Sequence, residues 1–80
     1  MQGEVHINKD VFICKFNVVQ NTDGHINNIC VTDSSEFNIG SHISKHIQEI
    51  TNYLPIEMKS TDVELYIQLI YRSYSYISQI

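Results

Sequence analysis

The stretch TDVELYIQLIYRSYSYISQI, residues 61–80, is the longest run with a helical pattern in the chain. At about 100° per residue, its apolar side chains fall on two stripes of the predicted helix. An ordinary surface helix buries one stripe against one core, so this helix is expected to have neighbours on two sides. One stripe consists of Val63, Tyr66, Ile67, Ile70, Tyr74 and Ile77, and the other of Leu65, Leu69, Tyr76 and Ile80.

Two arrangements would cover both stripes. In the first, an earlier helix packs along one stripe and a sheet covers the other. In the second, one stripe is left for another protein molecule, and a second copy of this short chain is the natural choice. The arrangements differ in the exposure of Leu65, Leu69 and Tyr76 in an isolated chain. The residues that we predict to contact a partner are Leu65, Leu69, Tyr71, Arg72 and Tyr76.

A shorter helix is predicted before the long one. Its apolar stripe, Ile43, Ile47, Ile50 and Leu54, has helical spacing. Pro55 disfavours helical backbone at the residue before it, so this helix should end near Tyr53. Ser41 is the expected N-cap, and residues 36–39 form either a short extra strand or a loop. Thr61 and Glu64 predict a capping box at the start of the long helix.

The first half of the chain predicts two β-hairpins. Asp23-Gly24 is a typical two-residue hairpin turn, and Lys9-Asp10 is a second candidate turn. The registers that follow put all apolar partners on one sheet face, and a slip of one residue would expose half of them. The predicted pairs are Val18 with Ile29, Phe16 with Val31, Ile7 with Phe12, and Val5 with Cys14. Residues 26–28 do not fit this alternation and predict a bulge.

The order of these elements predicts an α+β fold. We expect a three-stranded, or with residues 36–39 a four-stranded, antiparallel meander, followed by two helices packed on one sheet face. Eighty residues leave no room for a second core, so residues 1–80 are expected to form one domain.

Charge and hydropathy exclude several classes of function. The net charge is −4, and only five Lys and Arg are scattered along the chain, so direct binding to nucleic acid is not expected. A basic protein partner would be attracted instead. No window of about 18 apolar residues is present, and the N-terminus lacks the features of a secretion signal. We therefore expect a cytoplasmic protein that does not bind membranes.

Few residues are candidates for chemistry. His42 and His46 are one helical turn apart, as in some zinc sites, but Glu49 is about 10 Å further along the axis from His42. A polar flank beside the isoleucine stripe explains them better, so no metal or other cofactor is expected. Cys14 and Cys30 are predicted on opposite sheet faces as free thiols. No glycine-rich phosphate loop or activated nucleophile is present, and we expect no enzymatic activity.

The sequence thus favours a non-enzymatic protein-binding module that occludes a partner, with the homodimer as the expected state. Small acidic α+β proteins of this type occur among phage anti-CRISPR, immunity and antitoxin proteins, although no motif here is specific to them. Two alternatives stay open. One is a small metal- or thiol-dependent protein that uses His42, His46 and Cys30, and the other is a structural subunit of a larger assembly.

Overall fold

In the computed structural model, three strands are followed by two helices. The structure describes the backbone of residues 1–78 and the side chains of residues 1–74. The elements are β1 (Gln2–Ile7), β2 (Phe12–Gln20), β3 (Ile26–Ser34), α1 (Phe37–Ile50), a 3₁₀ turn (Thr51–Tyr53) and α2 (Ser60–Ser78). The strands form one antiparallel sheet in the order β1-β2-β3. The predicted α+β meander with two following helices is confirmed, with three strands rather than four.

All four predicted strand pairs are present in the sheet. Ile7 pairs with Phe12 and Val5 with Cys14 in the first hairpin, and Val18 pairs with Ile29 and Phe16 with Val31 in the second. The first turn holds Lys9 and Asp10 at φ values of 53° and 68°. The second differs from the predicted two-residue turn: its loop contains three residues, because the Asn21 amide donates to the His25 carbonyl at 2.8 Å, and only Gly24 has a positive φ, of 91°. Because the registers agree with the alternation, six of these eight apolar side chains are fully buried on one face.

Two irregularities interrupt the pairing of β3 with β2. Val19 pairs with Asn28 but Gln20 pairs with Ile26, so Asn27 has no partner in the ladder. This is the bulge predicted within residues 26–28. A second shift between Lys15 and Phe16 leaves Thr32 unpaired and was not anticipated. A bulge bends its strand and increases the local twist, which lets Ile26 and Ile29 both face the core.

The core lies between the sheet and the helices. Val5, Phe12, Cys14, Phe16, Val18, Ile26 and Ile29 from the strands meet Ile43 and Ile47 of α1 and Val63 and Ile67 of α2, with Met58 from the connector. Gly3 faces Phe16 across the ladder, and a Cβ there would lie 2.8 Å from two of the ring carbons and closer still to Cζ. The absence of a side chain at Gly3 therefore makes room for this ring.

The start of α1 differs from the prediction. Residues 37–39 form its first turn, so they are neither a strand nor a loop, and the N-cap is Glu36 rather than Ser41. The Glu36 carboxylate accepts a hydrogen bond from the Asn38 amide at 3.1 Å. The Gly40-Ser41 pair resembles a helix start in the sequence, but Gly40 is instead buried where α1 meets Ser34 of β3. Here the glycine permits close packing and does not interrupt the helix.

The ends of the two helices follow the sequence only in part. The chain leaves α1 through the 3₁₀ turn, and extended backbone at Leu54 precedes Pro55 as expected. At the start of α2, the Asp62 carboxylate accepts a hydrogen bond from the Lys59 amide at 3.0 Å. This is the carboxylate half of a capping box, made two residues earlier than the predicted Thr61–Glu64 pair. Among the described residues, neither helix is long and apolar enough to cross a membrane.

Candidate interaction surface

The two apolar stripes of α2 have opposite environments. Val63 and Ile67, on the first stripe, are fully buried against the core. Leu65 and Leu69, on the second, are 58% and 59% exposed. Around the helix, the leucines lie roughly 120° to 160° from these buried residues by the 100° period. Neither α1 nor the sheet covers Leu65 and Leu69, so the first of the two arrangements expected from the sequence is wrong for these two leucines.

The exposed leucines belong to a continuous outer face of α2. Arg72 is also exposed and lies between the two leucines and the C-terminal end of the helix, within about 60° of both around the axis. Thr61 and Ser73 are exposed at the two borders of this face. We call Thr61, Leu65, Leu69, Arg72 and Ser73 the α2 outer face. Tyr76, also predicted as a contact residue, lies outside the described side chains.

Tyr71 is placed differently from the other predicted contact residues. Its ring stacks on Phe12, with centroids 5.3 Å apart and planes inclined by 26°. It is half-buried against the core and lies about 120° around the helix from Leu65. Tyr71 therefore packs the hairpin of β1 and β2 against α2 and is not part of the α2 outer face. Because tyrosine is common both in core packing and at contact surfaces, the residue type alone could not show which of the two roles Tyr71 has.

The other sheet face is the second apolar surface. Val11 and Val19 are 72% and 42% exposed there, while Ile13 and Cys30 are half-buried. These residues lie on the far side of the sheet from the helices, so they do not join the α2 outer face. Large exposed side chains also occur singly, at Phe37 and Tyr53, and single exposed apolar residues are common on protein surfaces.

An open groove runs between β3 and α1. It has a volume of about 760 Å³ and is lined on one side by residues 31–34 and on the other by residues of α1, including Phe37, Gly40, Ser44 and Lys45. The sequence did not indicate it, because it depends on α1 starting at Phe37. No histidine or cysteine lines it, and its side chains suggest no particular chemistry.

The histidines do not assemble a metal site. The His42 ring lies 4.3 Å from the His46 ring and 4.8 Å from the Tyr74 ring, between centroids. His46 Nδ1 is 3.5 Å from Glu49 Oε2. His6 and His25, considered as further ligands, contact acidic residues of their own turns instead. In the part of the chain that the structure describes, no three His, Cys, Asp or Glu residues are grouped so as to hold one ion.

His6 and His42 have opposite electrostatic environments. His6 contacts Asp10 through Nδ1 at 2.6 Å and Glu4 through Nε2 at 2.7 Å. These two hydrogen bonds, the one with Asp10 first, raise the pKa of His6. Burial lowers the pKa of His42, and the nearby charges of His46 and Lys45 lower it further. A positive charge is therefore favoured at His6 and disfavoured at His42.

We expect an NMR titration to resolve these two histidines. The midpoint of His6 should lie above the ordinary value of about 6.5 and that of His42 below it. Replacing Asp10 with asparagine should move the His6 midpoint down and leave that of His42 unchanged. Because the pKa of His6 is higher in the folded state, its stabilising contribution is complete below about pH 6.5 and is lost as the pH rises through the raised value. Equal midpoints would contradict the hydrogen bonds of His6.

The two cysteines are free, as predicted, and occupy the two predicted faces. Cys14 is fully buried, and burial raises the pKa of its thiol from 9.0 to about 11, with the charge of Asp33 adding to the effect. Cys30 is half-buried, and its Sγ is 2.9 Å from the Asn28 side-chain amide nitrogen. A thiol reacts as the thiolate, so Cys14 is unsuited to nucleophilic chemistry.

Alkylation should distinguish the cysteines. At about pH 8, iodoacetamide is expected to modify Cys30 in the folded protein and to modify Cys14 only after unfolding, because the thiolate is the reactive form. Mass spectrometry of peptides after timed quenching measures the extent of alkylation at Cys30 and at Cys14. Stability relative to Cys14→Ala should also fall between about pH 9 and 11, where the unfolded thiol loses its proton and the folded one retains it. Rapid modification of Cys14 in the folded state would contradict its burial.

Comparison of the chain with protein-family models, with curated proteins and with solved structures finds no match. The geometry of the described residues is therefore the basis for a functional proposal.

Proposed function

We propose that this protein is a non-enzymatic binding module that occludes a surface of another protein, and that the α2 outer face makes the contact. It would act as an inhibitor of the type found among anti-CRISPR, immunity and antitoxin proteins, in the cytoplasm. Leu65, Leu69 and Arg72 are the contact residues of this face. The net charge of −4 favours a basic partner, since opposite charges speed encounter.

One observation carries the proposal. Leu65 and Leu69 are more than half exposed on the side of α2 that faces away from the core. Replacing either by a polar residue would not disturb the core, yet both are leucine, in a chain that has only three. Apolar side chains clustered on one exposed surface are typical of interaction sites. An arginine beside them fits the composition of interface centres, where arginine is enriched and other charged residues are depleted.

The chemistry of the remaining residues supports binding over catalysis. Cys14 is buried with a raised pKa, the histidines are paired with local acids or with each other, and the groove between β3 and α1 is lined by a mixture of apolar, polar and charged side chains without a histidine or cysteine. An active site requires a nucleophile or base within hydrogen-bond reach of a positioning group. His6 has such a contact with Asp10, at 2.6 Å, but its second ring nitrogen contacts Glu4, and no hydroxyl or thiol nucleophile is hydrogen-bonded to it in the residues described. These observations favour binding over an enzymatic alternative.

Affinity capture with matched baits tests the proposal. The baits are the wild type, a Leu65→Glu/Leu69→Glu variant and a Val19→Glu control, whose substitution lies on the far face of the sheet. We expect a cellular protein that is retained by the wild type and the control and reduced at least about tenfold with the α2 variant. That protein, once purified, should lose its own activity on addition of the wild type and keep it with the α2 variant.

Two outcomes would contradict the proposal. If all three baits retain the same proteins, the α2 outer face is not the contact surface. If the captured protein remains fully active at saturating amounts of the wild-type chain, the chain does not occlude it. The second result would support the structural-subunit alternative.

A further inference from the structure

The residues at the α2 outer face have a symmetric arrangement. Leu65 and Leu69 lie equally far along the helix from residue 67, in opposite directions. Asp62, which is half-buried beside the face, and the exposed Arg72 are also equally far from residue 67, with opposite charges, and they flank the leucines on opposite sides. Thr61 and Ser73, both small and hydroxylated, mark the two borders at equal distances. The face therefore has the same order of residue types from either end, apart from the exchange of charge.

A surface with this arrangement is complementary to itself after a two-fold rotation. When two copies of α2 are placed antiparallel and centred at residue 67, Leu65 of one copy meets Leu69 of the other. The same rotation brings Arg72 of each copy beside Asp62 of the other, so two opposite-charge pairs form about 15 Å from each other along the axis. Two-fold dimers in which both subunits use the same patch are the commonest homo-oligomers.

We infer that the α2 outer face associates with the same face of a second copy of this chain, with the two helices antiparallel. This rests on the proposed function, in that it names one partner for the same exposed face. Each copy contributes two leucines, one arginine and one aspartate to the contact, which is a small interface by the standard of stable dimers. The dimer is therefore weak, and a foreign protein that binds this face competes with self-association.

The charges distinguish the antiparallel arrangement from a parallel one. In a parallel pair, Arg72 would lie beside the Arg72 of the second copy and Asp62 beside its Asp62, and like charges repel. Asp62 also accepts a hydrogen bond from the Lys59 amide through Oδ2. A carboxylate has two oxygens and can accept several hydrogen bonds, so capping the helix does not prevent Asp62 from pairing with an arginine.

Sedimentation equilibrium of the purified chain tests the inference. From about 10 µM to 1 mM, the wild-type mass is expected to rise from that of a monomer towards that of a dimer. Leu65→Glu should raise the dissociation constant at least about tenfold. The control Val19→Glu, also a charge in place of an exposed aliphatic residue, should leave it unchanged. Circular dichroism of each variant verifies that the fold is retained.

A second variant tests the antiparallel register. Arg72→Glu places a carboxylate beside Asp62 of the other copy and should weaken the dimer several-fold, while Arg72→Lys keeps the charge and should weaken it less. A wild type that is monomeric throughout the range would overturn the inference, as would equal dimerisation of the Leu65→Glu and Val19→Glu variants. An undiminished dimer with Arg72→Glu would overturn the antiparallel pairing.

These results separate the inference from the proposed function, because only the purified chain is used. A monomeric chain that still captures a cellular protein through Leu65 and Leu69 would overturn the dimer and leave the proposed function. A dimer whose three affinity baits retain the same cellular proteins would overturn the proposed function and leave the dimer.

Discussion

Ile67→Ala is expected to lower the free energy of unfolding by about 2–5 kcal/mol, whereas Leu69→Ala should change it by no more than about 0.5 kcal/mol at low protein concentration. Ile67 is fully buried on the side of α2 that packs against the core, and Leu69, two residues away, is 59% exposed. The two side chains contain the same number of carbon atoms and stand on the same helix. The difference between the two losses in free energy of unfolding therefore reflects the burial of each helix face and is little affected by helix propensity.

Urea unfolding followed by circular dichroism measures this pair. The experiment should be run at low micromolar concentration, where a weak dimer is dissociated, and repeated at high concentration. If the α2 outer face is occupied in the dimer, Leu69→Ala should become more destabilising as concentration rises, since dimerisation stabilises the folded state by mass action. Equal losses for both variants at low concentration would mean that the chain itself buries both faces of α2, contrary to the structure.

Gly40→Ala is expected to destabilise the protein by about 1–3 kcal/mol, although alanine is the better helix former by about 1 kcal/mol. A Cβ at position 40 would lie 2.7 Å from the Cβ of Ser34 and closer still to its Oγ. Either α1 or the end of β3 must shift to accommodate it. Ser34 is not free to turn aside without loss, because its hydroxyl donates a hydrogen bond to the Glu36 carbonyl at 3.1 Å.

Two further variants establish the cause of this loss. Ser41→Ala is the neighbouring control on the exposed side of α1 and should be neutral within about 0.5 kcal/mol. Ser34→Gly combined with Gly40→Ala should cost less than the sum of the two single changes, since removing the Ser34 side chain makes room for the new methyl group. A stability gain from Gly40→Ala would show that α1 and β3 are not in contact at this point.

The sheet could be predicted from the sequence because the features that determine it, turn residues and apolar alternation, lie close together along the chain. In the first hairpin the turn residues fix the register, and in the second the extra residue of the loop is offset by the unpaired Asn27, so the predicted pairs still form. Alternation then determines which side chains face the core. Val5 belongs only to the first hairpin and Ile29 only to the second, yet the same argument predicts that both are buried, as they are. The second bulge, at Thr32, escaped prediction because no turn signal or interruption of the apolar pattern marks it. Nothing in the sequence near Thr32 distinguishes a bulged strand from a regular one.

The start of α1 and the environment of α2 could not be predicted in the same way. A glycine at position 40 fits a turn before a helix, and it equally fits a helix that packs closely against a strand. The second role depends on the contact with Ser34, six positions earlier. The two stripes of α2 were visible in the sequence, but only the tertiary arrangement determines which one is buried. Tyr71 illustrates the same limit, because its contact with Phe12 joins positions that no local pattern relates.

The bulges at Asn27 and Thr32 have a consequence for how copies of this chain can meet. β3 is an edge of the sheet, and a straight edge strand can recruit further strands until fibres form. Each unpaired residue rotates the amide and carbonyl groups of the edge out of alignment, so an incoming strand cannot add along its whole length. Strand addition at the β3 edge is thereby discouraged, which favours side-chain contacts between helices over backbone pairing at that edge.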